Sequence, residues 1–228
     1  MKETLLAEAA RLGIALDAPQ LARFESFAQA LVEQNRVMNL TAITEPREIA
    51  LLHFADSLAL LRAADFRGKT VIDVGCGAGF PGVPLKIGEP SLQLTLLDSL
   101  QKRVAWLNRT LTALDIEADC VASRAEDYAA RERFDIAVSR AVARLNVLCE
   151  LCLPFVRVGG CFLAMKAAAV AEELREAQRA IALLGAREDG RFDYTLGGAS
   201  RSILVLRKVR PTPQTYPRRF ARIKISPL

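Results

Sequence analysis

The densest group of residues able to do chemistry is Asp73-Val-Gly75-Cys-Gly77-Ala-Gly79-Phe-Pro-Gly82, between a short β-branched run and a helical pattern. Glycines there let the backbone turn tightly and lie close to a ligand, because no Cβ intervenes. Two ligand chemistries compete. Gly77-x-Gly79-x-x-Gly82 matches the dinucleotide fingerprint, in which a pyrophosphate rests on amides at a helix N-terminus. Gly75-x-Gly77-x-Gly79 behind Asp73 suits a cationic ligand instead, since a carboxylate at the strand end attracts positive charge. Pro81 also removes one amide that a phosphate would use. The cationic ligand is favoured. Asp98 ends the next strand 25 residues after Asp73, where a carboxylate can accept hydrogen bonds from ribose hydroxyls or cap the following helix.

The loop behind Asp73 resembles the S-adenosylmethionine loop of class I methyltransferases, whose ligand brings a sulfonium and an ammonium. After the third strand, Ser123-Arg124-Ala125-Glu126-Asp127 supplies a polar turn. In that fold Ala125 and Glu126 would read the adenine edge through their backbone; otherwise they form a surface turn capping a helix. The fourth strand ends in Ser139-Arg140. Enzymes that methylate exocyclic amines commonly place Asn/Asp-Pro-Pro-aromatic there, and this chain does not. Methylation of pyrimidine C5 needs a thiolate, and none of Cys76, Cys120, Cys149, Cys152 and Cys161 lies at this strand end. Guanine N7 attacks with its own lone pair and loses no proton, so it asks for positioning and electrostatics alone. Arg140 fits that demand, or is a structural arginine paired with Asp135 or Glu126.

Cys149-x-x-Cys152 has the spacing of a half metal site, but the single histidine, His53, stands apart from it. The pair sits in the apolar run Val147–Phe155 and reads as core thiols, as His53 reads as a packed side chain. No metal is expected.

The elements that must position these residues change character along the chain. Leu5, Leu6, Ala9 and Leu12 recur at helical spacing before Gly13, and Pro19 opens a helix with Leu21, Phe24, Phe27, Ala28, Leu31 and Val32 on one face. A third helix opens near Glu45–Pro46. From residue 69 apolar runs alternate with helices: Val71–Gly75, Leu92–Leu97, Ala118–Val121, Phe134–Ser139, Gly160–Lys166 and Ser202–Val209, with a helix over about Ala168–Leu184 and a short stretch Arg191–Leu196. That alternation predicts an α/β fold, a doubly wound and mostly parallel sheet under an N-terminal helical cap. The expected units are a cap over 1–66, a sheet domain over 67–210 and a basic tail over 211–228, extended and proline-broken from Pro211 to Pro217.

The chain has 228 residues, 51% hydrophobic and 25% charged, which excludes disorder and a disulfide scaffold. Five cysteines without a framework favour reduced thiols, and with no apolar run of membrane length or export signal the expectation is a cytoplasmic protein without a membrane partner. Net charge is +5, but from Arg201 onward there are eight basic residues and no acidic one, leaving 23 basic against 26 acidic before it. Such asymmetry points to a polyanion near one end, or to a solubilising tail.

Read together, Asn39-Leu-Thr-Ala-Ile43, His53-x-x-Asp56-Ser-Leu58, Gly-x-Gly-x-Gly-x-Pro-Gly82, Leu97-Asp-Ser-Leu100, Ser139-Arg-Ala141, and Tyr216-Pro-Arg218 with Pro227-Leu228 resemble the bacterial 16S rRNA guanine-N7 methyltransferase G family, formerly glucose-inhibited division protein B. The resemblance implies a class I (Rossmann-like) fold that moves a methyl group from S-adenosylmethionine to guanine N7 at position 527 of the 530 loop. It implies cofactor contacts at Gly75, Phe80, Ala125, Glu126 and Arg140, beside Asp73, Gly77 and Asp98 from the loop chemistry. It implies RNA contacts at Arg124, Lys166 and Arg201, to which the tail adds Arg218 and Arg219. The partner expected is 16S rRNA or the small ribosomal subunit, met by a monomer. Two alternatives stay open: a nicotinamide-dependent oxidoreductase, and a non-catalytic RNA-binding protein on the same fold.

Overall fold

The computed structural model describes residues 1–140, 143–167 and 170–228. Ala141 of the Ser-Arg-Ala motif and Ala168, the expected start of a helix, lie outside the described residues. The cap opens with α1 (Lys2–Arg11), ended by Gly13 at φ +70°. In α2 (Ala18–Met38) Asp17 and Gln20 form a reciprocal capping box. The Gln20 amide also donates to the carbonyls of Ile87 (3.0 Å) and Gly88 (3.1 Å), at the far end of α5 (Gly82–Gly88). The third helical segment is irregular: α3 (Pro46–Glu48), a π-helical stretch (Ile49–Ala55), α4 (Asp56–Leu58) and a 3-10 turn (Ala59–Arg62).

Seven strands form one sheet in the order β3-β2-β1-β4-β5-β7-β6. β1 (Thr70–Val74) is the switch point, pairing in parallel with β2 (Gln93–Asp98) and β4 (Phe134–Arg140). β2 pairs with β3 (Asp119–Ala122), and β4 with β5 (Val156–Ala167). β6 (Ala186–Leu196) and β7 (Ala199–Lys208) add an antiparallel hairpin. Ligands of doubly wound sheets bind beyond the strand carboxyl ends where the winding reverses, which here is between β1 and β4. Helices α6 (Gln101–Ala113), α7 (Leu145–Cys152) and α8 (Val170–Leu183) flank the sheet.

Side chains alternate across each strand, so Val71, Ile136 and Val138 enter one core while Ile72 and Ala137 enter the other. The first core is shared with the cap through Phe24, Phe27, Leu31, Phe54 and Leu58, all fully buried. Truncating a phenylalanine in such a place costs about 3–5 kcal/mol. The second lies under α7 and α8 and includes Ile223 of α9 (Phe220–Ile225).

One expectation changes. The stretch expected over Arg191–Leu196 is an eleven-residue edge strand, and its solvent-facing polar half offers no apolar alternation to read. Beyond its proline-broken stretch the tail ends in α9, whose Ile223 is completely buried.

Candidate active site

The loop after β1 is held by its own backbone. Gly75, Gly77 and Gly79 take φ of +75°, +56° and +93°, which side chains other than glycine resist. A Cβ on Gly82 would lie 2.9 Å from Asp73 Oδ2 and 2.6 Å from Leu96, so glycine is needed there for close approach. Gly75 and Cys76 donate to the Leu97 carbonyl at 2.8 and 3.1 Å, and Gly79 and Phe80 to the Cys76 carbonyl at 2.8 and 2.9 Å. Gly77 donates to Asp98 Oδ2 (3.0 Å) and Gly82 to Asp73 Oδ2 (2.7 Å). Six loop amides are thus engaged internally. A pyrophosphate needs free amides, and this loop turns carboxylates toward them instead.

Asp98 has two structural duties: Oδ2 braces Gly77, and Oδ1 accepts from Leu100 N–H (2.8 Å). Leu100, not Asp98, is the N-cap of α6. Asp73 is completely buried beneath the loop; burial pushes its carboxyl up to about 7, and Oδ1 has no partner among the described residues. Asp73 therefore braces Gly82 from behind and does not line the cavity.

That cavity is about 370 Å³, within the ~300–1,000 Å³ of ligand pockets. It is lined by Gly75, Gly77, Asp98, Ser99, Ala125, Glu126 and Arg140, together with Leu151 of α7 and Phe220 of α9. Asp98 and Glu126 share these walls with Arg103, Arg124 and Arg140, and with six loop amides already engaged the site is better suited to S-adenosylmethionine than to the pyrophosphate of a dinucleotide. Phe80 lies elsewhere, its ring stacked on His53 with centroids 4.3 Å apart within the cap's aromatic cluster.

Arg140 meets neither Asp135 nor Glu126. Asp135 sits at the other end of β4 and pairs with Arg157. Arg140 Nη1 instead donates to the Leu52 carbonyl (2.8 Å) and Asp56 Oδ2 (3.2 Å), and Nη2 to His53 Nδ1 (3.0 Å). A guanidinium only donates, so Nδ1 accepts and the imidazole proton sits on Nε2, facing Thr41 Oγ1 at 2.9 Å. Burial, then the Arg140 charge, pull His53 down to about 4, so the ring is neutral at pH 7. Asp56, only 2% exposed, also accepts from Tyr194 Oη (2.7 Å) and has Arg201 Nε at 3.5 Å. The sequence reading missed Asp56 as a hub, although an aspartate among Phe54, Ala55 and Leu58 is a signal in itself.

The expected RNA contacts divide. Arg124 and Arg219 are exposed near the mouth. Lys166 is bound to Glu173 (2.6 Å) and the Ala143 carbonyl (2.9 Å), Arg201 lies against Asp56, and Arg218 makes a bidentate pair with fully buried Glu150 (2.7 and 2.6 Å). Burial raises the thiols of Cys76, Cys149 and Cys152 well above their ordinary value, so none offers a thiolate. Among the described residues no helix is long and apolar enough to cross a membrane.

A family model described as rRNA small subunit methyltransferase G matches residues 20–193. Curated relatives called ribosomal RNA small subunit methyltransferase G include one from Exiguobacterium sp., 45% identical with 96% of each chain covered, and one from Acetivibrio thermocellus, 41% identical with 100% and 97% covered. Among solved structures, the fold is similar to an SAM-dependent methyltransferase from Aquifex aeolicus (TM-score 0.54, 15% identity, covering 74% of this chain and 96% of that one). It is also similar to a geranyl diphosphate C-methyltransferase from Streptomyces coelicolor (TM-score 0.54, 15% identity, covering 68% and 79%).

Proposed function

The chain belongs to the rRNA small subunit methyltransferase G family, and from that premise we propose that it methylates N7 of a guanine in 16S rRNA, at position 527 of the 530 loop. S-adenosylmethionine is the methyl donor, and when bound it supplies a methyl carbon activated by the sulfonium. Asp98 would hold the ribose, the backbone at Ala125 and Glu126 the adenine edge, and the turn through Gly75 and Gly77 the methionine portion. Acting on a ribosomal substrate, the protein would work in the cytoplasm.

The choice of target atom rests on one observation: among the described residues the end of β4 holds no group free to take a proton. His53 is neutral, and both its ring nitrogens are engaged by Arg140 and Thr41. An exocyclic amine must shed a proton and pyrimidine C5 needs a thiolate, whereas guanine N7 needs neither. Arg140, fixed by Leu52 and Asp56, contributes a positioned positive charge at the cavity wall. Exposed Arg124 and Arg219 supply phosphate contacts at the mouth.

Mapping N7-methylguanine in 16S rRNA from cells with and without the protein tests this reading. The mark is expected at one guanine and only with the protein; methyl incorporation at an amine or a pyrimidine carbon would overturn the choice of atom. Titration tests the cofactor, with S-adenosylhomocysteine expected to bind more tightly than NAD; the reverse order restores the oxidoreductase.

A further inference from the structure

The cavity has two kinds of wall. Around Gly77, Asp98 and Ser99 it is polar, whereas Ala125, Leu151 and Phe220 give it an apolar part. Phe220 comes from the tail, far from the strand ends in sequence, and its amide donates to Glu126 Oε1 at 3.2 Å. The turn expected to read an adenine edge and the tail are therefore one surface.

The tail is anchored on either side of this residue. Arg218 grips Glu150 of α7 through both carboxylate oxygens, and its own amide donates to Oε1 at 2.9 Å. Upstream, Arg131 donates to the carbonyls of Thr212 (3.1 Å) and Tyr216. Downstream, Ile223 is fully buried in the core under α7. Phe220 sits between these anchors and yet stays only partly buried, on the cavity wall. A side chain needed only as an anchor would be covered as Ile223 is; a large aromatic left open on an otherwise apolar wall has surface for a flat ligand.

We propose that Phe220 is a cofactor-binding residue whose ring covers the purine of the adenosyl group, so that the C-terminal segment is part of the cofactor site. This rests on the reading of the cavity as the S-adenosylmethionine site. A purine offers a polar edge and two π faces: the backbone at Ala125 and Glu126 is placed for the edge, and Phe220 for a face. The tail's expected role toward a polyanion is thereby narrowed to its exposed cations.

Calorimetric titration of S-adenosylhomocysteine into the full chain and its Phe220→Ala, Phe220→Leu and Phe220→Tyr variants tests the assignment. Phe220→Ala should weaken binding about tenfold or more. Phe220→Leu keeps the apolar anchor but not the π face, and should weaken binding several-fold with an unchanged unfolding midpoint. Phe220→Tyr should bind like the wild type. If Phe220→Ala fails to fold, Phe220→Leu carries the test, supported by Phe220→Trp, whose emission should change on binding beyond the change that Trp106 gives in the wild type. Folded Phe220→Leu binding at wild-type affinity, with a silent Phe220→Trp, would overturn the role of Phe220. Absence of binding to the wild type would overturn the reading of the cavity itself.

Discussion

Two remote stretches of chain reach the strand ends, the cap and the tail, and each does so by joining a buried carboxylate to a guanidinium. The polarity is opposite. The cap brings the acid, Asp56, to Arg140 of β4, 84 positions away; the tail brings the base, Arg218, to Glu150 of α7, 68 positions away. Asp56 is also the meeting point of Tyr194 and Arg201, whereas among the described residues Glu150 takes Arg218 alone. The cap contact is thus a hub, and leaves Arg140 on the cavity wall; the tail contact is a clasp, and leaves Phe220 there. Both show that arginines near a nucleic-acid site can be internal fastenings, so a basic stretch overstates its electrostatic footprint.

Breaking the clasp should have the largest effect. Arg218→Ala leaves Glu150 buried without a partner and should cost about 3–5 kcal/mol in urea unfolding. Arg218→Lys restores charge without the bidentate geometry and should recover only part of that. A loss below about 1 kcal/mol would mean the tail is not clasped.

The next test separates the two regions by pH. His53 on the cap side has its pKa lowered from 6.5 to about 4, so the unfolded chain takes up the proton first and stability is lost as pH falls through that window. Asp73 beneath the loop has its pKa raised from 3.8 to about 7, so the folded chain holds the proton and stability is lost as pH rises through its own window. These contributions, each on the order of 3 kcal/mol, oppose one another between pH 4 and 7. Relative to wild type, His53→Gln should therefore gain stability as pH falls and Asp73→Asn should lose it. Parallel pH profiles for both variants would contradict the assignment.

Opening the hub comes third. Asp56→Ala removes the anion between Arg140 and Arg201, both of which can turn partly to water, so the cost should be about 2 kcal/mol. Methyl transfer should fall about 100-fold while S-adenosylhomocysteine affinity changes less than tenfold, since Arg140 loses its position and the other cavity walls do not. Equal loss of both would make Asp56 a cofactor-site residue only.

The smallest effect should come from the exposed end of the tail. Arg222→Gln with Lys224→Gln should leave stability within about 0.5 kcal/mol. The slope of log RNA affinity against log salt should become shallower by about 1–2 units. An unchanged slope would place the phosphate contacts elsewhere, at Arg124 and Arg219.

The sheet and its glycine loop were legible because buried parallel strands are short apolar runs and because positive φ admits little but glycine. The hub and the clasp were not. Their partners lie 68 and 84 positions apart, and no local periodicity records a contact across such distances. Arg140 illustrates the difference: its place at the end of β4 followed from spacing, while its partners Leu52 and His53 came from a π-helical stretch that no pattern foretold, and Asp56 from α4 just after it. Arg218 stood out in sequence as one charge among eight, and only its seat over Glu150 tells it from exposed Arg219.

Gln20 carries a consequence for how the molecule opens. One side chain closes the capping box of α2 and also occupies the last carbonyls of α5, the helix that begins at Gly82. Fraying at the start of α2 therefore strips α5 of its terminal partners, and loosening of α5 frees the amide that steadies α2. Cap and cofactor loop then open as one cooperative unit, and amide protons in the first turns of α2 and in α5 should exchange with deuterium at a common rate. Gln20→Ala should uncouple them, making the two helices exchange independently although no residue of the cavity has changed.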